Sequence, residues 1–387
     1  MTTPPLAPQP VDPDIPLATV ITAREHLEEV VAELRREPRL ALDTESNGFY
    51  AYQEKVCLLQ ISSAHEDFIV DPIAVPDLSS LGELMADPRI EKVFHAGEYD
   101  VLCLKRDHDL RFANLFDTMI AGRLLGAKEL GLAAAIRRYF GVTLSKKLQR
   151  ADWGLRPLSA AHLRYAQFDT HYLLRLADIL KNQLREQKRD EDAAEACARL
   201  AELEPVVRIF DPEGYWRLAS RHQLSDRQTA CLREIYLLRE RRAEALDRAP
   251  FRIMSEELMA RLAAELPKDS ETLSRVRGMT PYLLRKFGPS LLEALERGRT
   301  ADIPVEPTRA RIRHSNQERR LFEALRQWRK AQAEREAVEP VVILDTKSLR
   351  EIARAAAAGE SDPLAELSEL KRQRYGEPVL KLVRPKS

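Results

Sequence analysis

Cysteine is scarce: Cys57, Cys103, Cys197 and Cys231 are scattered through 387 residues with no CxxC pair and no zinc-finger spacing. That argues against a disulfide scaffold or a structural zinc module, and leaves reduced thiols in the core. Net charge is also absent, because 61 Lys and Arg balance 61 Asp and Glu. No whole-molecule field draws in a polyanion, so any contact with nucleic acid must rest on local basic surfaces or on metal ions. No uncharged apolar run reaches membrane-spanning length. The start, MTTPPLAPQPVDPDIP, has neither the basic beginning nor the apolar centre of an export signal, and its prolines read as a disordered tail. These absences predict a cytoplasmic protein with no membrane partner.

What is present is a chain long enough for two or three domains, with 44% hydrophobic residues to build their cores. A helix is expected near 23–36, then strands near 39–43, 55–62 and 67–71, whose short connections permit an antiparallel meander. The pattern then changes. A strand at 90–95, a helix at 98–106, a strand-like stretch at 110–115 and helices at 118–125, 130–140 and 159–186 predict parallel crossovers. Beyond about residue 195 strand patterning disappears and helical periodicity runs to the end. Within that half Leu232, Ile235, Arg239, Ala243, Glu244, Pro250 and Ile253 recur ninety positions later as Phe322, Leu325, Arg329, Ala333, Glu334, Pro340 and Ile343. Two copies of one small helical unit are predicted, joined by TADIPVEPTRA.

The chemistry-bearing residues lie in the first half. Asp43 and Glu45 close the apolar run Leu40-Ala41-Leu42, and a strand's period of two sets both carboxylates on one face, where they can hold a divalent cation. An acid-x-acid pair is common in so acidic a chain, roughly ten by chance, so its company decides. Asp100 stands among Tyr99, Val101, Leu102 and Leu104, and a carboxylate in such surroundings is costly unless a cation compensates it. Tyr165 and Asp169 are four apart on a helix with Ser159 as its N-cap, so both project from one face.

Asp43-x-Glu45, Asp100 in KVFHAGEYDVLCL, and Tyr165-x-x-x-Asp169 resemble, in order, the three motifs of the tyrosine-bearing DEDD exonucleases. FDTMIAGRLLG and WGLRPLSAAHLRYAQFDTHYLL are similar to ribonuclease D in particular, and the helical copies resemble paired HRDC domains. The resemblance implies an α/β fold, an RNase H-like exonuclease domain followed by two all-α HRDC-like helical domains. The boundaries expected are a tail at 1–19, the exonuclease domain at 20–195, a first HRDC domain at 210–298, a linker at 299–313 and a second HRDC-like domain at 314–384. It also implies two divalent metal ions, Mg²⁺ or Mn²⁺, held by Asp43, Glu45, Asp100 and Asp169. Tyr165 orients the attacking water, since a phenol of pKa about 10 is a poor base at neutral pH. The function implied is a 3′-5′ exoribonuclease that releases 5′-mononucleotides and trims 3′ ends of tRNA precursors and other structured RNAs, acting as a monomer. A 3′-5′ DNA exonuclease and a noncatalytic RNA-binding scaffold remain as alternatives.

Thr44, Ser46, Asn47 and Phe49 are candidate contacts for the terminal nucleotide, with Phe49 as a stacking surface; a polar turn at Gly48 explains them equally well. Lys146, Lys147, Gln149 and Arg150 offer a basic approach, or a solvated loop. His95 reads as a structural group at a strand end, and Asp117 as an N-cap, not a fifth metal acid.

Overall fold

The computed structural model describes residues 15–205, 209–307 and 315–383. The chain enters through β1 (Thr19–Ile21), α1 (Arg24–Leu34), β2 (Arg39–Ser46), β3 (Val56–Ser62) and β4 (Asp67–Val70). After α2 (Gly82–Ala86) come β5 (Glu91–Phe94), α3 (Glu98–His108), β6 (Leu115–Asp117), α4 (Thr118–Leu124) and α5 (Leu132–Phe140). Then α6 (Ala160–Thr170), α7 (Leu173–Glu186) and α8 (Asp190–Glu202) follow. The six strands form one sheet in the order β1-β4-β3-β2-β5-β6. β2, β3 and β4 pair antiparallel, as their short connections require, whereas β5 and β6 join in parallel after helical crossovers. β3 is buried along its whole length, and β2 is buried until it emerges at Asp43. Asp43 and Glu45 therefore stand where a core strand leaves the core.

Three expectations are corrected. The alternation at 110–115 does not make a strand there: Leu110 and Phe112 face the core from an irregular segment, Asn114 takes a positive φ of 54°, and β6 begins only at Leu115. The helix expected at 159–186 is broken between α6 and α7. The break lets His171 Nδ1 reach Asp67 at 2.7 Å and stacks Tyr172 on Phe140 and Phe168, with centroids 5.5 and 6.0 Å away. Residues 1–14 of the expected tail lie outside the described residues, but Thr19 pairs with Phe68 and the Ile15 and Pro16 carbonyls accept from Arg164.

The remaining elements are helices: α9 (Tyr215–Arg221), α10 (Asp226–Ala245), α11 (Pro250–Ile253), α12 (Glu256–Glu265), α13 (Ser270–Arg275) and α14 (Pro281–Thr300), then α15 (Asn316–Glu336), α16 (Pro340–Ile343), α17 (Thr346–Ala357) and α18 (Glu369–Val383). The ninety-residue repeat is structural. Ser225 and Ser315 cap α10 and α15, Pro250 and Pro340 open α11 and α16, and Ser255 and Asp345 cap α12 and α17. Each copy has its own apolar core, one around Leu232, Leu262 and Leu291, the other around Leu325, Ile352 and Val379.

Both copies dock on the sheet unit at the same internal turn. In the first, the Ala249 N–H donates to the Tyr50 carbonyl at 3.0 Å and Arg252 Nε donates to the Phe49 carbonyl, its guanidinium lying 3.8 Å over the Tyr50 ring. The Tyr52 hydroxyl donates to Glu240 at 2.7 Å and its N–H to Asp247 at 3.1 Å. In the second copy, Val342 enters the core of the sheet unit. Around it Asp192 meets Lys371 at 3.1 Å and Arg374, Arg189 pairs with Glu336, and Arg123 with Glu339 at 3.2 Å. Gly126, at a φ of +71°, gives the close approach: a Cβ there would sit 2.4 Å from the Ala337 carbonyl oxygen.

Candidate active site

Asp43 and Glu45 leave β2 on one face and pair across the strands with Gln60 and Leu58. Asp100 lies in the first turn of α3, whose start is fixed by Asp117. One oxygen of Asp117 caps α4 by accepting from Met119 and Ile120 at 2.8 and 2.9 Å, and the other accepts from the Gly97 N–H at 2.7 Å. Gly97 is required there because a Cβ would collide with Phe94 at 2.5 Å. α6 then lays Tyr165 and Asp169 over the sheet, its Ser159 capping the His162 N–H.

These side chains feel one another. Burial, followed by the charges of Asp100, Asp169 and Glu45, holds the Asp43 carboxyl well above the usual carboxylate range. Burial and then Asp169 and Asp100 push Glu45 up to about 9. Asp100 rises to about 6 through burial, opposed by hydrogen bonds from the Thr44 hydroxyl and N–H, and Asp169 rises to about 7 through burial and then Asp100. The charged neighbours that shift Asp43 are all acids. Burial first, then Asp169, Glu45 and Asp43, raise Tyr165 as well, so its hydroxyl keeps its proton at neutral pH.

The four acids and Tyr165 thus lie within electrostatic reach of one another. Among the described residues, however, no three His, Cys, Asp or Glu side chains stand in a ready-made metal-holding arrangement. Thr44 engages Asp100 through both its N–H and its hydroxyl. The donor set nevertheless fits a hard divalent ion: it is all oxygen, and a cation would offset the burial that raises each acid.

Thr44 is occupied with Asp100, and the Ser46 hydroxyl donates to Glu54 at 2.9 Å, so both hydroxyls have internal partners. Asn47 accepts from the Lys55 N–H at 2.8 Å. Phe49 is half exposed, with Arg150 5.9 Å over its ring, while Lys146 and Lys147 are exposed on the neighbouring loop. His95 Nδ1 lies 2.9 Å from the Thr118 hydroxyl, and burial lowers its basicity, as befits a structural group.

Sequence reasoning missed two supports. Trp153 is buried beside Tyr165, ring centroids 5.8 Å apart, and Arg156 fixes its loop by gripping both oxygens of Asp71 at 2.6 and 2.7 Å. A tryptophan and an arginine just before the helix carrying Tyr165 were the available signal. Gln60 was missed too, though a lone amide in the apolar run VCLLQI is unusual.

A model of 3′-5′ exonuclease domains matches residues 18–185, and a model of HRDC domains matches 228–295 and 318–383. Ribonuclease D of Granulibacter bethesdensis is 30% identical over 377 residues, covering 95% of this chain and 93% of that protein. The chain belongs to the ribonuclease D family. An exosome complex component 10 homolog of Caenorhabditis elegans is 34% identical, covering 79% of this chain. The chain spans about a third of that relative's length, 35%. The crystal structure of the catalytic core of RRP6 from Trypanosoma brucei superposes with a TM-score of 0.68 at 31% identity, covering 77% of this chain and 83% of that one. Among the described residues, no helix is long and apolar enough to cross a membrane.

Proposed function

We propose that this chain is a metal-dependent 3′-5′ exoribonuclease that releases 5′-mononucleotides and trims the 3′ ends of structured RNAs, tRNA precursors included. One feature supports the reading: Asp43 and Glu45 from a strand and Asp100 and Asp169 from two helices are buried within electrostatic reach of one another, beside Tyr165. Asp43, Glu45, Asp100 and Asp169 would hold two Mg²⁺ or Mn²⁺ ions, which supply water activation and neutralise charge gathering on the phosphodiester. Tyr165, held against Trp153, keeps its hydroxyl proton and orients the attacking water. The exonuclease domain comes first, and two HRDC domains follow it, the first ending with α14 at Thr300, inside the linker expected at 299–313, whose residues 308–313 lie outside the described residues. The molecule works as a cytoplasmic monomer.

The first HRDC domain supports an RNA path to this site. Its docking turn holds the loop that follows Glu45, and beside that turn Phe251 and Tyr282 are about half exposed. Residues 272–292 carry Arg275, Arg277, Arg285 and Lys286 without one acid, and Lys286 reaches the Tyr282 hydroxyl at 3.1 Å. Exposed rings among cations suit unpaired bases and their phosphates. In the second copy, aligned through FGPSLL and YGEPVL, the counterpart of Lys286 is Arg374, which is committed to Asp192.

The test is a hairpin RNA with a 3′ tail, incubated with Mg²⁺ with and without chelator, beside a matched DNA. Mononucleotide release that stops near the stem, requires the cation and favours RNA is expected. Digestion through the stem would refute steric exclusion, equal rates on DNA would move the substrate class, and no turnover would favour a binding scaffold.

A further inference from the structure

Gln60 is fully buried, and neither atom of its amide has a hydrogen-bond partner. It pairs directly across the antiparallel strands with Asp43, so both side chains rise from the same face of the sheet, their Cβ atoms about 5 Å apart. The other residues of β3 from Val56 to Ile61 are apolar, and Ile69 flanks Gln60 on the far side. A purely structural residue at this position would be another Leu or Ile. A buried amide without a partner destabilises the fold, and such groups call for an explanation.

Asp43 supplies one. The charged neighbours of its carboxylate are acids, and the Thr44 N–H beside it donates to Asp100. A cation held by these acids would engage some of the Asp43 lone pairs and leave others in need of a donor. We infer that Gln60 is a positioning residue for the cation site: its Nε2 N–H group donates to Asp43 in the cation-loaded state and fixes which oxygens face the ions. This rests on the metal-dependent reading above. It gives the unpartnered amide of Gln60 an acceptor directly across the strands.

The experiment uses the full chain and its Gln60→Met variant, which fills the same space with an unbranched apolar side chain. Thermal unfolding is followed against Mg²⁺ concentration without RNA. Without cation, the variant should melt at the same temperature as wild type or higher, because an unsatisfied polar group has gone. With cation, its Mg²⁺ midpoint should rise about tenfold or more. In ¹⁵N-labelled wild type, the Gln60 side-chain amide signals should shift during the same titration, a readout that holds even if the variant fails to fold. Equal Mg²⁺ midpoints, or static Gln60 signals, in a protein whose wild type binds cation and degrades RNA would overturn this inference alone. A wild type indifferent to Mg²⁺ and Mn²⁺ would overturn it together with the metal-dependent reading.

Discussion

Asp100 and Asp192 are both buried aspartates at the third position of a helix, in α3 and α8. Asp192 is met by Lys371, Arg374 and, at 3.6 Å, Arg189, so its charge is neutralised within the protein and ties the second HRDC domain to the exonuclease domain. Asp100 accepts from Thr44, and the charged groups that raise it and that it raises are other acids. Burial and residue type are the same; the difference is whether the fold provides the counter-charge. Where it does, the aspartate is an internal fastening. Where it does not, a bound cation is proposed to supply it.

The contrast can be broken by removing each charge in turn. Asp100→Asn should lower exonuclease turnover by on the order of 10³-fold or more, the scale seen when a group needed in the transition state is lost. Its metal-free melting temperature at pH 8 should hold or rise, because a repelled charge has gone; near-normal turnover in Mg²⁺ would end the assignment. Asp192→Ala should do the opposite. Stranding Lys371 and Arg374 should cost about 3–5 kcal/mol in urea unfolding of the second domain and its interface, with turnover on short oligonucleotides nearly intact.

pH sharpens the contrast with a smaller effect. A carboxyl raised in the folded state stabilises the fold below its unfolded pKa, near 4, and loses that contribution as pH climbs through its folded value. For Asp100, Asp169 and Glu45 those values are about 6, 7 and 9. Metal-free protein should therefore lose stability from pH 5 to pH 8, and less so in Asp100→Asn. Saturating Mg²⁺ should restore about 2–3 kcal/mol at pH 8, at a hundredfold excess over its dissociation constant, and little at pH 5, where protons compete for the same oxygens. A cation effect as large at pH 5 as at pH 8 would break the link to these acids.

Much of this was readable from residue order. The period of two aligned Asp43 with Glu45, the helical spacing aligned Tyr165 with Asp169, and the caps at Asp117 and Ser159 announced where helices begin. The ninety-residue echo gave two copies of one unit. Other features leave no local signature. β1 has three residues, too few for a period, and exists through its pairing with β4. The break after α6 is set by contacts to Asp67 and Phe140, distant in sequence. Gln60 was legible as an oddity, yet its meaning depends on the register that puts Asp43 opposite.

The grip of Asp247, Ala249 and Arg252 on the loop after Glu45 joins residues about two hundred positions apart. During translation, all four acids leave the ribosome well before the turn that steadies their neighbouring loop. A nascent chain ending near residue 205 carries Asp43, Glu45, Asp100 and Asp169 beside a segment at 47–52 that lacks this grip, which limited proteolysis should cut there faster than in the full-length chain. The order of synthesis thus places a delay between making this nuclease and completing it.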